Sequence, residues 1–207
     1  MNSYIKNNGV NNKLSYDEKS FEFIGLNIEG NDNLINLEKT SKKTNRTCTI
    51  NIKGNFNRII MKENVVLKGT SILVIGDNNS LFIGSNTTFE PKCEIICSSG
   101  KAVQIGDDCL FSHNTSISTS DVYTLYDIKT KQIINPPNNV MIENHVWVCE
   151  ECEIHKGSKI LANSVVGAFT IVNKTYHKKN ILICGQPAKI IKNDINWDRE
   201  LTSKKEV

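Results

Sequence analysis

The stretch IENHVWVCEECEIHKGSKILANSVVGAFTIVNKTYH, residues 142–177, divides into six blocks of six, and every block begins with Ile or Val, at positions 142, 148, 154, 160, 166 and 172. The fifth place of the first five blocks holds Val146, Cys152, Ser158, Ser164 and Thr170, all small, whereas the sixth block breaks the rule with Tyr176. An α-helix repeats its apolar residues every three to four positions and an amphipathic strand every second one. A period of six fits neither. It fits a β-helix, in which a short strand and a turn use six residues and the first stacks its aliphatic side chain in the core. Three such units close one triangular coil.

The same phase returns upstream at Ile105, Phe111 and Ile117, with Cys109 and Thr115 at the small place. Earlier still, NIEGNDNLINL (27–37), NIKGNFNRIIM (51–61) and LVIGDNNSLFIG (73–84) share an aliphatic residue, a glycine and an Asn-rich turn, at a spacing a little over one coil. Asn and Gly suit such turns because both tolerate positive φ. The chain therefore reads as a polar N-terminal segment (1–20), a β-helix (21–188) interrupted by an extruded loop (119–140), and a C-terminal cap and tail (189–207). Within the last part, KIIKNDINWDREL (189–201) places Ile190, Ile191, Ile195 and Trp197 as a short folded-back helix would, with Trp197 covering the last coil. An open coil end needs such a cap.

Composition narrows the function classes. Of 207 residues, 39 % are hydrophobic, but the apolar runs are as short as ILVI at 72–75, so no membrane span is expected. The start, MNSYIKNNGVNNKLSYDEK, lacks an apolar h-region, which points to the cytoplasm rather than export. Seven cysteines, an odd number spread widely, read as reduced thiols. Cys149 and Cys152 form a CxxC with no second pair at zinc spacing, so no metal is expected. A net charge of +3 with scattered basic residues does not point to nucleic acid.

The run 143–174, followed by ILICGQPAKIIKN (181–193), resembles the C-terminal half of the hexapeptide-repeat acyltransferases. Within that superfamily it is most similar to the O-acetyltransferases of bacterial sialic-acid and capsular polysaccharides. The loop carries the likeness too: SDVYTLYD (120–127) and IIN (133–135) stand where those enzymes have a pattern near SDxHxIxD and then RIN. The resemblance covers about residues 103–197. It implies a left-handed parallel β-helix, an exception to the usual right-handed crossover. It also implies a homotrimer with active sites between subunits, acetyl-CoA as donor along the coils, and a glycan acceptor.

By the same resemblance, Gly167 and Ala168 let the pantetheine chain run against bare backbone. Gly185 and Pro187 set a turn, and Lys174, Lys189 and Lys192 are placed to meet the CoA phosphates. Trp147, of the VW pair, lies beside the acetyl group, where an indole N–H can donate to an oxyanion. On the acceptor side Ser120, Asp121, Asp127 and Asn135 are kept, but Tyr123 replaces the expected histidine and Ile133 the expected arginine. Phenols ordinarily ionise near pH ~10 and are poor bases at neutrality. His113, in FSHNT, matches a position that is often histidine and is the substitute base; His145 reads as structural, and His155 and His177 have no such support.

The candidate catalytic set is thus Trp147, His113, Tyr123 and Asp121. The implied function is acetyl-CoA-dependent O-acetylation of a bacterial surface glycan, sialic-acid-containing or another capsular or lipopolysaccharide sugar, by direct transfer at a subunit interface. Two alternatives stand beside it. One is N-acetylation of an amino sugar nucleotide, since a neutral amine needs no strong base. The other is a catalytically degenerate homologue with a scaffold or regulatory role.

Overall fold

The structure, a computed structural model, describes residues 3–18, 23–40 and 46–200. Every element among them is a strand. The strands form the three faces of a prism. Face one has eight parallel strands, from Tyr4–Asn7 to Ile171–Val172. Face two has seven, from Lys13–Tyr16 to Lys159–Ile160. Face three also has seven, from Val66–Leu67 down to Leu182–Cys184 and then Lys189–Lys192. The residues read as a polar N-terminal segment contribute the first strands of faces one and two.

The six-residue period becomes stacking. Ile72, Ile95, Ile117, Ile154 and Val172 are partners in register down face one, and all are buried. Each coil repeats the last, so one aliphatic side chain per strand builds a continuous core column. On face three the register partners Phe89 and Phe111 stack in the same way, ring centroids 4.5 Å apart. Glu153 pairs with Ile171, 18 positions on, which is three hexads. Upstream coils are longer: the Asn57 to Asn79 step is 22 residues.

At the corners the small fifth-place residues serve the backbone. Ser158 Oγ donates to Val172 O at 2.9 Å, Cys152 Sγ to Gly167 O at 3.1 Å and Cys109 Sγ to Glu143 O at 3.2 Å. Buried thiols therefore satisfy carbonyls of the next coil. All seven cysteines are free, and burial pushes Cys48 and Cys109 up to about 12. Such thiols are inert.

The asparagines have a second role besides the turn geometry expected of them. Positive φ falls on Asp32, Phe56 and Asn78, whereas the residue after each, Asn33, Asn57 and Asn79, is buried. These form a ladder: Asn33 N donates to Asn12 Oδ1, Asn57 N to Asn33 Oδ1 and Asn79 N to Asn57 Oδ1, each at 2.9 Å. Asn is used because its amide oxygen reaches the backbone N–H one coil away, which would otherwise be buried unpaired.

The C-terminal segment differs from expectation. No helix forms over 189–200; Lys189–Lys192 is a strand antiparallel to Leu182–Cys184, after a reversal at Gly185 (φ +100°) and the cis Gln186–Pro187 bond. The edge of face three presents unpaired backbone groups, and a strand returning beside it pairs them where a helix could not. Trp197 does not cover the last coil but docks higher on the prism. The plug is Tyr176, whose buried ring fills the final coil and whose OH donates to Ala188 O at 3.0 Å. Its size breaks the fifth-place rule because no further coil follows to crowd it. The expected tail at 201–207 lies outside the described residues.

Candidate active site

Two edges of the prism carry the candidate residues. Where face three turns into face one, Ser112, Cys149, Gly167 and Cys184 form a vertical row of successive coils. Trp147 stands beside it, on the strand Trp147–Val148, and its Nε1–H donates to Ser112 Oγ at 3.0 Å. The indole N–H read as an oxyanion donor is thus already engaged. Ser112 keeps its own hydroxyl hydrogen for another acceptor. His113 follows at the same corner with its ring exposed. Sequence reasoning passed over Ser112; its position next to His113 in FSHNT was the available signal.

At Gly167 a Cβ would lie 2.4 Å from Cys184 Sγ. The bare backbone is therefore required within the chain itself, and the thiol that takes the space keeps the surface low. Ala168 and Phe169 are exposed next to it, Phe169 with φ +57°. Lys189 and Lys192 lie exposed on the returning strand, and Lys174 Nζ sits 5.4 Å from the centroid of the Tyr176 ring.

The extruded loop leaves at the next edge, between faces one and two. Its neck closes through Asn138 N to Thr119 O at 3.0 Å, and its outer part is a hairpin with Ile134 N bonded to Leu125 O and a Tyr126–Ile133 bridge. Asp127 caps the tip, accepting from Lys129 and Thr130 N. Ser120 Oγ bonds Ser98 Oγ at 2.7 Å at the base. Tyr123 points out, 84 % exposed. Asp121 Oδ2 accepts from Lys156 Nζ and, at 2.9 Å, from Asn135 Nδ2. The Lys156 hydrogen bond first, then that of Asn135, hold its carboxyl below the ordinary value.

The structure thus separates residues that the sequence invited together. His113 lies before the strand Ser116–Ser118 and the loop follows it. At about 3.3 Å per residue, that strand alone keeps them about 10 Å apart. Trp147, Ser112, His113 and Gly167 share one edge of the chain; Asp121 and Tyr123 occupy another.

His145 is taken up by the C-terminal segment, as its structural reading implied. Its ring stacks on Trp197 at 4.4 Å, its Nδ1 lies 2.7 Å from Asp108 Oδ2, and Trp197 Nε1 donates to His145 O. Arg199 Nε donates to Asp108 Oδ1 at 2.9 Å. Burial alone would raise the Asp108 carboxyl, but the hydrogen bonds from His145 and Arg199 outweigh it and hold the group below its ordinary 3.8. A depressed folded value means the anchoring is complete above 3.8 and lost as pH falls through the lower folded value. The C-terminal segment is therefore expected to stay docked from neutrality down to about pH 4 and to release only below it, read as protection of the Trp197 indole N–H against solvent exchange after correction for the intrinsic rate. Arg199→Ala should move that transition upward; a wild-type transition between pH 5 and 7 would show that Asp108 does not hold the segment.

No protein-family model matches the chain. The polysialic acid O-acetyltransferase of Neisseria meningitidis is 31 % identical to it over 194 residues, covering 84 % of this chain and 89 % of that protein. The chain belongs to the hexapeptide-repeat O-acetyltransferases. Two members with solved structures superpose over its full length. The polySia-specific acetyltransferase NeuO gives a TM-score of 0.88 at 29 % identity, covering 85 % of that chain; the polysialic acid O-acetyltransferase OatWY gives 0.82 at 28 %, covering 95 %. The fold is the left-handed parallel β-helix of this acetyltransferase family. No helix among the described residues is long and apolar enough to cross a membrane.

Proposed function

We propose that the protein transfers acetyl groups from acetyl-CoA to hydroxyls of a sialic-acid-containing or related capsular polysaccharide, working as a homotrimer with sites between neighbouring chains. The observation that carries this reading is the likeness, through the repeats and the loop together, to enzymes named for polysialic acid O-acetylation. The split of candidate residues between two prism edges supports the trimer: the loop of one copy would meet the Trp147 edge of the next, joining halves that a single chain holds apart.

When bound, acetyl-CoA supplies a thioester acyl group. Gly167 and Ala168 give its pantetheine arm a low floor, with the Cys184 thiol filling the gap beneath, and Lys174, Lys189 and Lys192 supply positive charge for phosphates. The loop around Asp121 and Tyr123 frames the sugar. His113 would take the hydroxyl proton as general base and return it to the CoA sulfur as the thioester C–S bond breaks, and the Trp147–Ser112 pair would donate to the developing oxyanion. Holding both substrates at one interface supplies the remaining acceleration through proximity.

Acetyl transfer to sialic-acid oligomers, followed by mass spectrometry, tests the reading alongside CoA binding by calorimetry. His113→Ala is expected to lower the rate by about 10²-fold or more with an unchanged melting profile. Unchanged activity would remove His113 as the base, and absence of CoA binding would overturn the donor. A second reading, slow transfer by positioning without an effective base, is favoured by Tyr123 and Ile133 at the places of the expected histidine and arginine. In that case His113→Ala leaves a low rate untouched.

A further inference from the structure

We infer that Lys156 is a positioning residue that holds the acceptor loop in a strained, presented form, a role that rests on the loop framing the sugar as proposed above. Lys156 does not belong to the loop. It sits on the coil below, in the turn after the strand Glu153–Ile154, and its side chain is 19 % exposed. From there Nζ reaches both legs: Asp121 Oδ2 on the outgoing leg and Asn135 O, at 3.0 Å, on the returning one. Asn135 completes the clamp. Its Nδ2 donates to Asp121 Oδ2 and to Tyr123 O, both at 2.9 Å, and its Oδ1 accepts from Leu125 N at 2.7 Å.

What the clamp encloses explains why a clamp is needed. Tyr123 N donates to Asp121 O at 2.7 Å across Val122, whose φ is +66°. A γ-turn with positive φ at its centre is rare and strained, and a β-branched residue is among the worst to place there. Such a conformation persists only when its surroundings over-determine it. Here Asp121 is fixed on one side of Val122 and the Tyr123 carbonyl on the other, so the turn cannot relax while Lys156 and Asn135 stay in place. The consequence is directional: Val122 and Tyr123 are thrust outward, 64 % and 84 % exposed, at the position expected to face the sugar.

The hairpin beyond Leu125 needs none of this, because Tyr126 pairs with Ile133, Ile134 N bonds Leu125 O and Asp127 caps the tip. The neck at Thr119 and Asn138 is likewise closed by its own backbone hydrogen bond. Lys156 therefore acts on the segment between neck and hairpin, and sets the angle at which the hairpin stands from the prism. A positive charge is suited to this because it bonds a carboxylate and a carbonyl at once, which no neutral aliphatic side chain can do.

Wild type, Lys156→Met, Lys156→Arg and Lys156→Met with Val122→Gly form the test, read by amide hydrogen exchange over 120–135 and by the separate KM values for sialic-acid oligomers and acetyl-CoA. The Met variant is expected to lose protection at Tyr123 and Leu125 by about tenfold or more, with the coil amides unchanged, and to raise the acceptor KM about tenfold with the donor KM unmoved. Arg should restore most of the protection. Glycine at 122, which adopts positive φ without strain, should restore part of it in the Met background. Unchanged loop protection in Lys156→Met, or no recovery with Val122→Gly, overturns the inference. Loss of protection in a protein that transfers no acetyl group to the polysaccharide upholds the clamp and defeats the proposed function instead.

Discussion

Tyr123→His is expected to raise the rate of acetyl transfer to sialic-acid oligomers by about 10²-fold in the His113→Ala background, the lower end of what a positioned general base contributes, and in the wild-type background only if His113 is not already the base. An imidazole, ordinarily titrating near ~6.5, is largely free to accept a proton at neutral pH, whereas a phenol still carries its own. The substitution should leave the loop intact, because the residue is held by its backbone: Tyr123 N bonds Asp121 O and Tyr123 O accepts from Asn135 Nδ2. Its ring, 84 % exposed, packs little that would be lost. The gain should appear in kcat, and the pH–rate profile should acquire a limb in the imidazole range. Combining it with His113→Ala separates the two positions: retained gain in the double variant places the new base on the loop. No gain in the double variant, with loop exchange unchanged, would mean that position 123 does not face the acceptor.

A large stability effect is expected at Asn57. Asn57→Ala removes an oxygen that accepts from Asn79 N and Asn79 Nδ2, both at 2.9 Å, in a site only 1 % exposed. Asn79 Nδ2 keeps partners in Ile75 O and Gly76 O, but the Asn79 N–H is left buried without one. An orphaned buried donor costs about 1–3 kcal/mol, and the lost packing adds to it. Against this, Asn57 Nδ2 has no hydrogen-bond partner, so its removal offsets part of the loss. The expected net is about 2–3 kcal/mol, seen as a lower urea midpoint with an unchanged slope. Asn51, whose Oδ1 accepts from Asn27 Nδ2 in a partly solvated row, is the control, and Asn51→Ala should cost less than about 1 kcal/mol. Equal costs at both positions would show that the buried ladder is not what holds the upper coils.

Much of the fold was legible because a β-helix is a local rule applied repeatedly. Ile or Val at 142, 148, 154, 160, 166 and 172 can be buried together only if each block stacks on an equivalent one, and Ile142, Val148, Ile154, Ile160, Val166 and Val172 are all in the core. The loop was legible as the place where that rule is suspended. The candidate site was less so. Its residues could be named one by one, but the edge each occupies depends on which face its strand joins, and a motif match carries no such information. The engagement of the Trp147 indole by Ser112 spans 35 residues, and nothing in either local sequence announces it.

By itself, then, the sequence determined the coil, its core columns, the interruption at the loop and the substitution of Tyr123 for an expected histidine, since all of these are periodic or local. Tertiary structure alone decided the rest. Lys189–Lys192 became a strand because an open sheet edge was waiting for it. Tyr176 became a plug because no further coil followed, and Lys156 became a clamp because coil stacking brought it beneath Asp121. Each of these depends on what lies one coil above or below, a neighbour fixed by the length of every intervening turn.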